Sequence, residues 1–173
     1  NGTQKAALDA DMLGVTDSLG ADRVDYLRGI TAEEGNNGGP FRNRVSLLGD
    51  IVNSDPFYVA TADYGYYNLG ENSGNEGLDY RVFREHADYL SRTPVLYVGA
   101  NDGMLHALNA DNGNELFAYV PENIYGNLTD LTSPDYDHKF YVDGSPRVGD
   151  AYLPVSTGTC PLTATAPNNG FCW

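Results

Sequence analysis

The sequence predicts a mainly β chain: part of a β-propeller, with a short helical N-terminal segment and helical insertions. Thr93 to Pro121, TPVLYVGANDGMLHALNADNGNELFAYVP, carries most of that prediction. The run from Val95 to Gly99 is apolar and rich in β-branched and aromatic residues, Met104 to Asn109 alternates, and Leu116 to Val120 gives a third strand. Between them stand Asn101-Asp102-Gly103 and Asp111-Asn112-Gly113, residues that tolerate positive φ, so tight two-residue hairpin turns are expected. Pro121 closes the third strand because it has no N–H to give to a ladder. A blade this small cannot bury its faces alone, which implies neighbours in a larger radial assembly.

Residues 1–30 are expected to form a helical lead-in, and residues 31–173 the first blades. Thr3 is placed to cap a helix through Ala6, Ala7, Leu8 and Met12 that Gly14 ends. Asp22 is placed to cap a second, Arg23 to Arg28, with Gly29 at its C-terminal boundary and Val24 and Leu27 sharing the packing face. After the loop Gly35 to Pro40, apolar strands are expected from Val45 to Val52 and from Phe57 to Ala60, joined through Asn53-Ser54-Asp55-Pro56. Thr61 to Gly77 has neither a helical nor a strand period and is expected as a long surface excursion. Asp79 to Leu90 has helical spacing, with Tyr80, Phe83 and Ala87 on one face. Beyond the blade, Glu122 to Leu131 suggests a short helix, and Lys139 to Val142 and Arg147 to Leu153 further strands.

Length and charge limit the function classes. The 173 residues can hold a real core. They cannot close a propeller whose four-stranded blades take roughly 40 to 50 residues each. Open sheet edges are what natural proteins avoid, so the chain is expected to be a piece of a longer protein; a first residue Asn1 and a last residue Trp173 agree. The formal net charge is −14, from 24 acidic and 10 basic residues. Such a surface repels nucleic acid and anionic membranes. It suits an exposed, salt-rich or calcium-containing medium, or is simply a solvated surface. No apolar run approaches the roughly 20 residues that span a bilayer, and no signal peptide is visible. Cys160 and Cys172 flank a turn-rich loop without His or further Cys. A disulfide between them is expected, worth about 2–4 kcal/mol, and with it an oxidising compartment.

Several segments also carry a resemblance. YVGANDGMLHALNADNGNELFAYVP (Tyr97 to Pro121), SLLGDIVNSDPFYV (Ser46 to Val59), DYLRG (Asp25 to Gly29) and YDHKFYVDGSPRVGDAY (Tyr136 to Tyr152) resemble successive parts of the C-terminal propeller of the PilY/PilC family, in the same order. These are large proteins of bacterial type IV pilus assembly and adhesion. The resemblance implies a non-enzymatic factor, exported to the outer membrane, cell surface, pilus tip or medium, that supports pilus biogenesis, twitching motility and attachment. The partners implied are minor pilins, the pilus fibre, and host or abiotic surfaces. Family members carry a calcium loop of the D-x-D-x-N type in a later blade. No such motif lies between Asn1 and Trp173, so the resemblance leaves any calcium in the full-length protein to residues outside this chain.

Chemistry-bearing motifs are few. Asn109 to Glu115 superficially resembles a calcium loop, but Gly113 falls at the fifth position and no bidentate Glu closes it; a turn is expected. Ala110-Asp111-Asn112-Gly113 with Phe117 resembles one copy of the A-x-T-G-x-x-x-W repeat of pyrroloquinoline-quinone dehydrogenases, with Asn for Thr and Phe for Trp. That suggests quinoprotein-like blades, and keeps a periplasmic quinoprotein dehydrogenase as the alternative, beside a structural component of another extracellular filament. His106 lies mid-strand, where a satisfied, partly buried imidazole is expected; His138 is expected to fix a loop, and His86 lies in the charged helix. The three share no metal-binding spacing, and Asp102 and Asp143 precede glycines, as turn residues do. No catalytic, cofactor or metal residue is expected in this segment. The excursion holds Tyr64, Tyr66, Tyr67, Glu71 and Glu76, a set suited to surface contact. Two readings of its tyrosines stay open, contact and packing.

Overall fold

The computed structural model describes residues 2–69, 76–154 and 171–172. Cys160 and Glu71 lie outside these residues, as do the side chains of Cys172 and Glu76, so the expected disulfide and part of the expected contact loop are not described.

Helix α1 (Gly2–Leu8) stops short of the predicted Met12. The Asp11 carboxylate accepts the N–H groups of Leu13 and Val15, offering the backbone a turn in place of another helical one. Helix α2 (Gly20–Leu27) begins before the predicted Asp22 cap, because the Asp9 carboxylate takes the Gly20 N–H from afar in sequence. It ends as predicted at Gly29, with φ +96°. Gly29 N–H donates to Tyr26 C=O and Ile30 N–H to Asp25 C=O, the paired bonds of a Schellman motif.

Strands β1 (Phe57–Val59), β2 (Val95–Ala100), β3 (Met104–Asn109) and β4 (Glu115–Tyr119) form one four-stranded antiparallel sheet in the order β1-β2-β3-β4. The sequence-predicted blade is therefore completed by the run at Phe57. Neither hairpin has the predicted two-residue turn. Between β2 and β3 stand Asn101, Asp102 and Gly103; Gly103 N–H donates to Ala100 C=O, and only Gly103 has positive φ, +91°. This is the longer hairpin connection in which a glycine in the left-handed region follows an ordinary turn. Gly113, φ +77°, plays the same part before β4.

The predicted strand Val45 to Val52 is not one. The segment is exposed and irregular, because no strand lies beside it among the described residues. Lys139 to Val142 and Arg147 to Leu153 form no strand either, apart from β5 (Leu153–Pro154), which pairs antiparallel with β6 (Phe171–Cys172). In the first of these the backbone is spent on other groups: Tyr141 N–H donates to the Asn101 side chain and Lys139 N–H to the Tyr136 hydroxyl. The predicted helix Asp79 to Leu90 is split into α3 (Glu76–Glu85) and α4 (Ala87–Leu90) by His86, which leaves helical φ/ψ and accepts Asp88 N–H on Nδ1. Glu122–Thr132 winds as 3₁₀ turns where a short helix was predicted.

The chain divides into two compact units. One comprises Asn1–Pro56, Tyr97–Ala107 and Glu115–Pro146 in its described part. Its core gathers Leu8, Ile124, Leu128 and Leu131, with Val24 and Leu27 of α2 packed against them as their shared face predicted. Arg23 is buried beside this core: it forms a two-pronged pair with Asp17, donates to Leu8 C=O at 2.8 Å, and holds the Asp17 carboxyl down at about 2. The other unit comprises Phe57–Leu96, Leu108–Asn114 and the described part of Arg147–Trp173. Its core is aromatic: Tyr80, Phe83 and Tyr89, with Tyr66 against them.

Candidate functional site

In the first unit the turn after β2 is braced by charge. Asp102 follows Ala100 and Asn101 in this turn, and its carboxylate accepts the N–H of Gly49 at 2.7 Å and of Met104 at 3.2 Å. Both its oxygens lie 3.1 Å from His106 Nε2, four residues on in β3. The other ring nitrogen, Nδ1, lies 2.6 Å from the Glu115 carboxylate at the start of β4. His106 is buried, and burial alone would lower its pKa, but the bonds and charges of Asp102 and Glu115 raise it above the ordinary value. An imidazolium satisfies both carboxylates with its two N–H groups. In that state it has no lone pair with which to act as a base.

The neighbouring residues extend the brace. Asn101, also buried, donates its N–H to Asp50 C=O and its side-chain amide to the Asp50 carboxylate, while its amide oxygen takes Tyr141 N–H. His138 Nε2 meets the same carboxylate at 2.9 Å. Burial pushes the Asp50 carboxyl up, but the bonds from Asn101 and His138 outweigh it and hold it below its ordinary value. His138 thereby ties its loop to the one that carries Asp50. Ser54 also ties segments together, since its hydroxyl donates to Gly144 C=O and accepts Gly99 N–H. Gly99 is required there, because a Cβ would stand 2.3 Å from Val142 O.

Beside this brace, within the same unit, opens a cleft of about 250 Å³. Leu27, Val45, Leu47, Leu48, Met104 and Leu131 make its apolar walls, and Arg42, Asp50, Asp102 and His138 supply polar groups. Arg42 stacks on Tyr136 at 4.3 Å and donates Nε–H to Leu131 C=O. Arg44 is consumed structurally: it pairs with Glu34 at 2.8 Å, donates to Tyr26 and Ile30 carbonyls, and lies 3.6 Å over the Tyr26 ring. Among the described residues no group of three or more His, Cys, Asp or Glu side chains is arranged to hold a metal ion.

In the second unit the expected contact residues separate. Tyr66 packs into the aromatic core, 5.3 Å from Tyr80, and Tyr64 stacks on Tyr66 at 6.0 Å. Tyr80 accepts Tyr64 N–H and donates to Asp150, and its hydroxyl pKa is pushed up to about 12, mainly by burial. Tyr67 remains exposed, with the Arg81 guanidinium 5.7 Å from its ring. The structure thus gives Tyr64 and Tyr66 packing contacts and leaves Tyr67 on the surface.

The His106–Asp102–Glu115 brace was missed in the sequence. A signal existed: Asp102 stands in a hairpin turn with His106 four residues on in the strand that follows, and Glu115 opens the strand that pairs with His106's own. Only the pairing order β3-β4 brings the third member in.

The family model described as the PilY1 beta-propeller domain matches residues 48–156. The type IV pilus biogenesis factor PilY1 of Pseudomonas aeruginosa strain PAK is 46% identical over 150 residues, covering 84% of this chain and 12% of that protein. A type IV pilus biogenesis factor PilY1 homolog of Xylella fastidiosa is 42% identical over 135 residues, covering 78% and 11%. A second such homolog of Xylella fastidiosa is 41% identical over 149 residues, covering 81% and 10%. The chain therefore spans about a tenth of the length of the curated relatives it matches. No solved structure matches it.

Proposed function

We infer the function of this chain from one premise: it belongs to the PilY1 beta-propeller family of type IV pilus biogenesis factors. It serves as a propeller segment of such a factor, and its work is architectural and non-enzymatic. The full-length protein is exported, associates with the pilus tip or cell surface, promotes pilus assembly and twitching motility, and mediates attachment to host or abiotic surfaces. Minor pilins and the pilus fibre are its partners, and any calcium it uses is bound outside this chain. The expected Cys160–Cys172 disulfide belongs to the same exported setting.

The observation that carries this reading is the coincidence of the family match with a braced four-stranded blade. In the first unit several ionisable groups are paired for structure. His106 is held between two carboxylates, Arg44 against Glu34, and Arg23 against Asp17. Such pairs make a rigid platform, from which connecting segments present contacts.

Filaments sheared from the cell surface test it. Peptides of this chain should be recovered with pilin from wild-type cells, and antibodies to it should label filament ends. Recovery only from the soluble periplasm, with bound quinone, would replace this reading with the dehydrogenase; labelling along the whole fibre would make it a filament subunit.

A further inference from the structure

We propose that His106 is a pH-sensitive clasp on strand β4: when the imidazolium gives up its Nδ1 proton to water, the Glu115 carboxylate is released while Asp102 stays bound at Nε2. The device adds a response to the surrounding pH to the architectural role of the blade.

The asymmetry of the two arms sets which one opens. Both Asp102 oxygens lie 3.1 Å from Nε2, and a Glu115 oxygen lies 2.6 Å from Nδ1. The Asp102 side chain is 15% exposed and that of Glu115 51%. A neutral imidazole has one N–H and one lone pair, so it satisfies one carboxylate and repels the other. A buried carboxylate deprived of its donor keeps the cost of its desolvation, whereas Glu115 can turn into water. Asp102 also accepts the N–H groups of Gly49 and Met104, while among the described residues the Glu115 carboxylate is held by the ring alone. The remaining proton therefore stays on Nε2, facing Asp102.

Strand β4 is where the release tells. It stands last in the sheet order, beside β3, and its residues Glu115–Tyr119 are all exposed. A strand with so little buried apolar surface is held chiefly by its ladder and by the Glu115 contact. The other ionisable groups near the ring do not compete for its protons. Strand β2 brings Tyr97, whose ring lies 6.3 Å from Phe117, and β3 brings none besides His106 itself. In β4 the remaining ionisable group is the exposed Tyr119. Asp50, next to Gly49, is taken by Asn101 and His138. Of the 3₁₀ segment that packs on this turn through Leu128, Asp130 pairs with Lys139 and Glu122 is exposed. Burial alone would push the ring's pKa down, but the bonds and charges of Asp102 and Glu115 outweigh it and raise it above about 6.5. The clasp is thus closed in mild acid and opens as pH climbs through the raised value.

Hydrogen exchange of the intact full-length protein at about pH 6 and about pH 9, with intrinsic rates divided out, tests the clasp. Protection of the 116–119 amides should fall about tenfold between the two, while the N–H groups of Gly49 and Met104 and the amides of β2 stay protected. E115Q has no carboxylate to release, so its 116–119 protection should stand at the alkaline wild-type level at both pH values, with β2 protected as in wild type. A wild-type profile that does not change with pH, or a step of equal size in E115Q, would overturn the proposal. So would loss at Gly49 and Met104 ahead of β4, which would make Asp102 the arm that opens. Loss in β2 in step with β4 would also overturn it, as general unfolding.

Discussion

At the scale of single residues, His106 is the group whose state the blade senses. Its pKa is raised in the fold, so its stabilising contribution is complete below the ordinary histidine value of about 6.5 and is lost as pH climbs through the raised one. In the full-length protein, H106Q should therefore speed amide exchange in β3 and β4 most at mildly acidic pH, and the difference from wild type should shrink in alkali. An effect that grows with pH would reverse the assignment of the imidazolium. Gly103 makes a separate prediction. Its φ of +91° disfavours any side chain, and a Cβ would lie 2.8 Å from Leu128 Cδ2. G103A should lower the opening free energy of the hairpin by about 1–3 kcal/mol, as measured by the same exchange. The glycine was legible from the sequence as a turn residue. The reason it cannot be replaced was not, because Leu128 lies far along the chain.

At the scale of elements, the tyrosine-rich excursion divides its residues between packing and exposure. Y66A removes a half-buried ring packed against Tyr80 and should destabilise the second unit by about 1–3 kcal/mol, less than the deletion of a fully buried aromatic. Y67A removes an exposed ring and should stay within about 0.5 kcal/mol of wild type while weakening surface attachment. Equal attachment by Y67A and wild type, with the fold intact, would end the contact reading at that residue. The elements best foreseen were those specified by local chemistry: β2, β3, β4 and the end of α2 at Gly29. The elements misjudged depended on partners distant in sequence. Val45 to Val52 has strand composition but no neighbouring strand among the described residues, and Lys139 to Val142 spends its hydrogen bonds on Asn101 and other loop groups. Helix boundaries moved where a side chain outcompeted the next helical bond, as Asp11 does after α1 and His86 does between α3 and α4.

At the scale of the whole molecule, a single four-stranded sheet cannot bury both its faces, and we read it as one component of a larger assembly. The isolated 173-residue chain should show no cooperative thermal unfolding transition; a sharp transition would prove it self-sufficient. The candidate brace was only half legible at this scale, since sequence spacing pairs Asp102 with His106 but the sheet order must supply Glu115. We propose that this blade is required for pilus biogenesis. The amount of pilin sheared from cells whose only copy of the full-length protein lacks residues 46–152 tests this. Sheared pilin should fall to the level of cells lacking the protein altogether, although the truncated protein is still exported. Wild-type pilin yield with the truncated protein on the surface would contradict it.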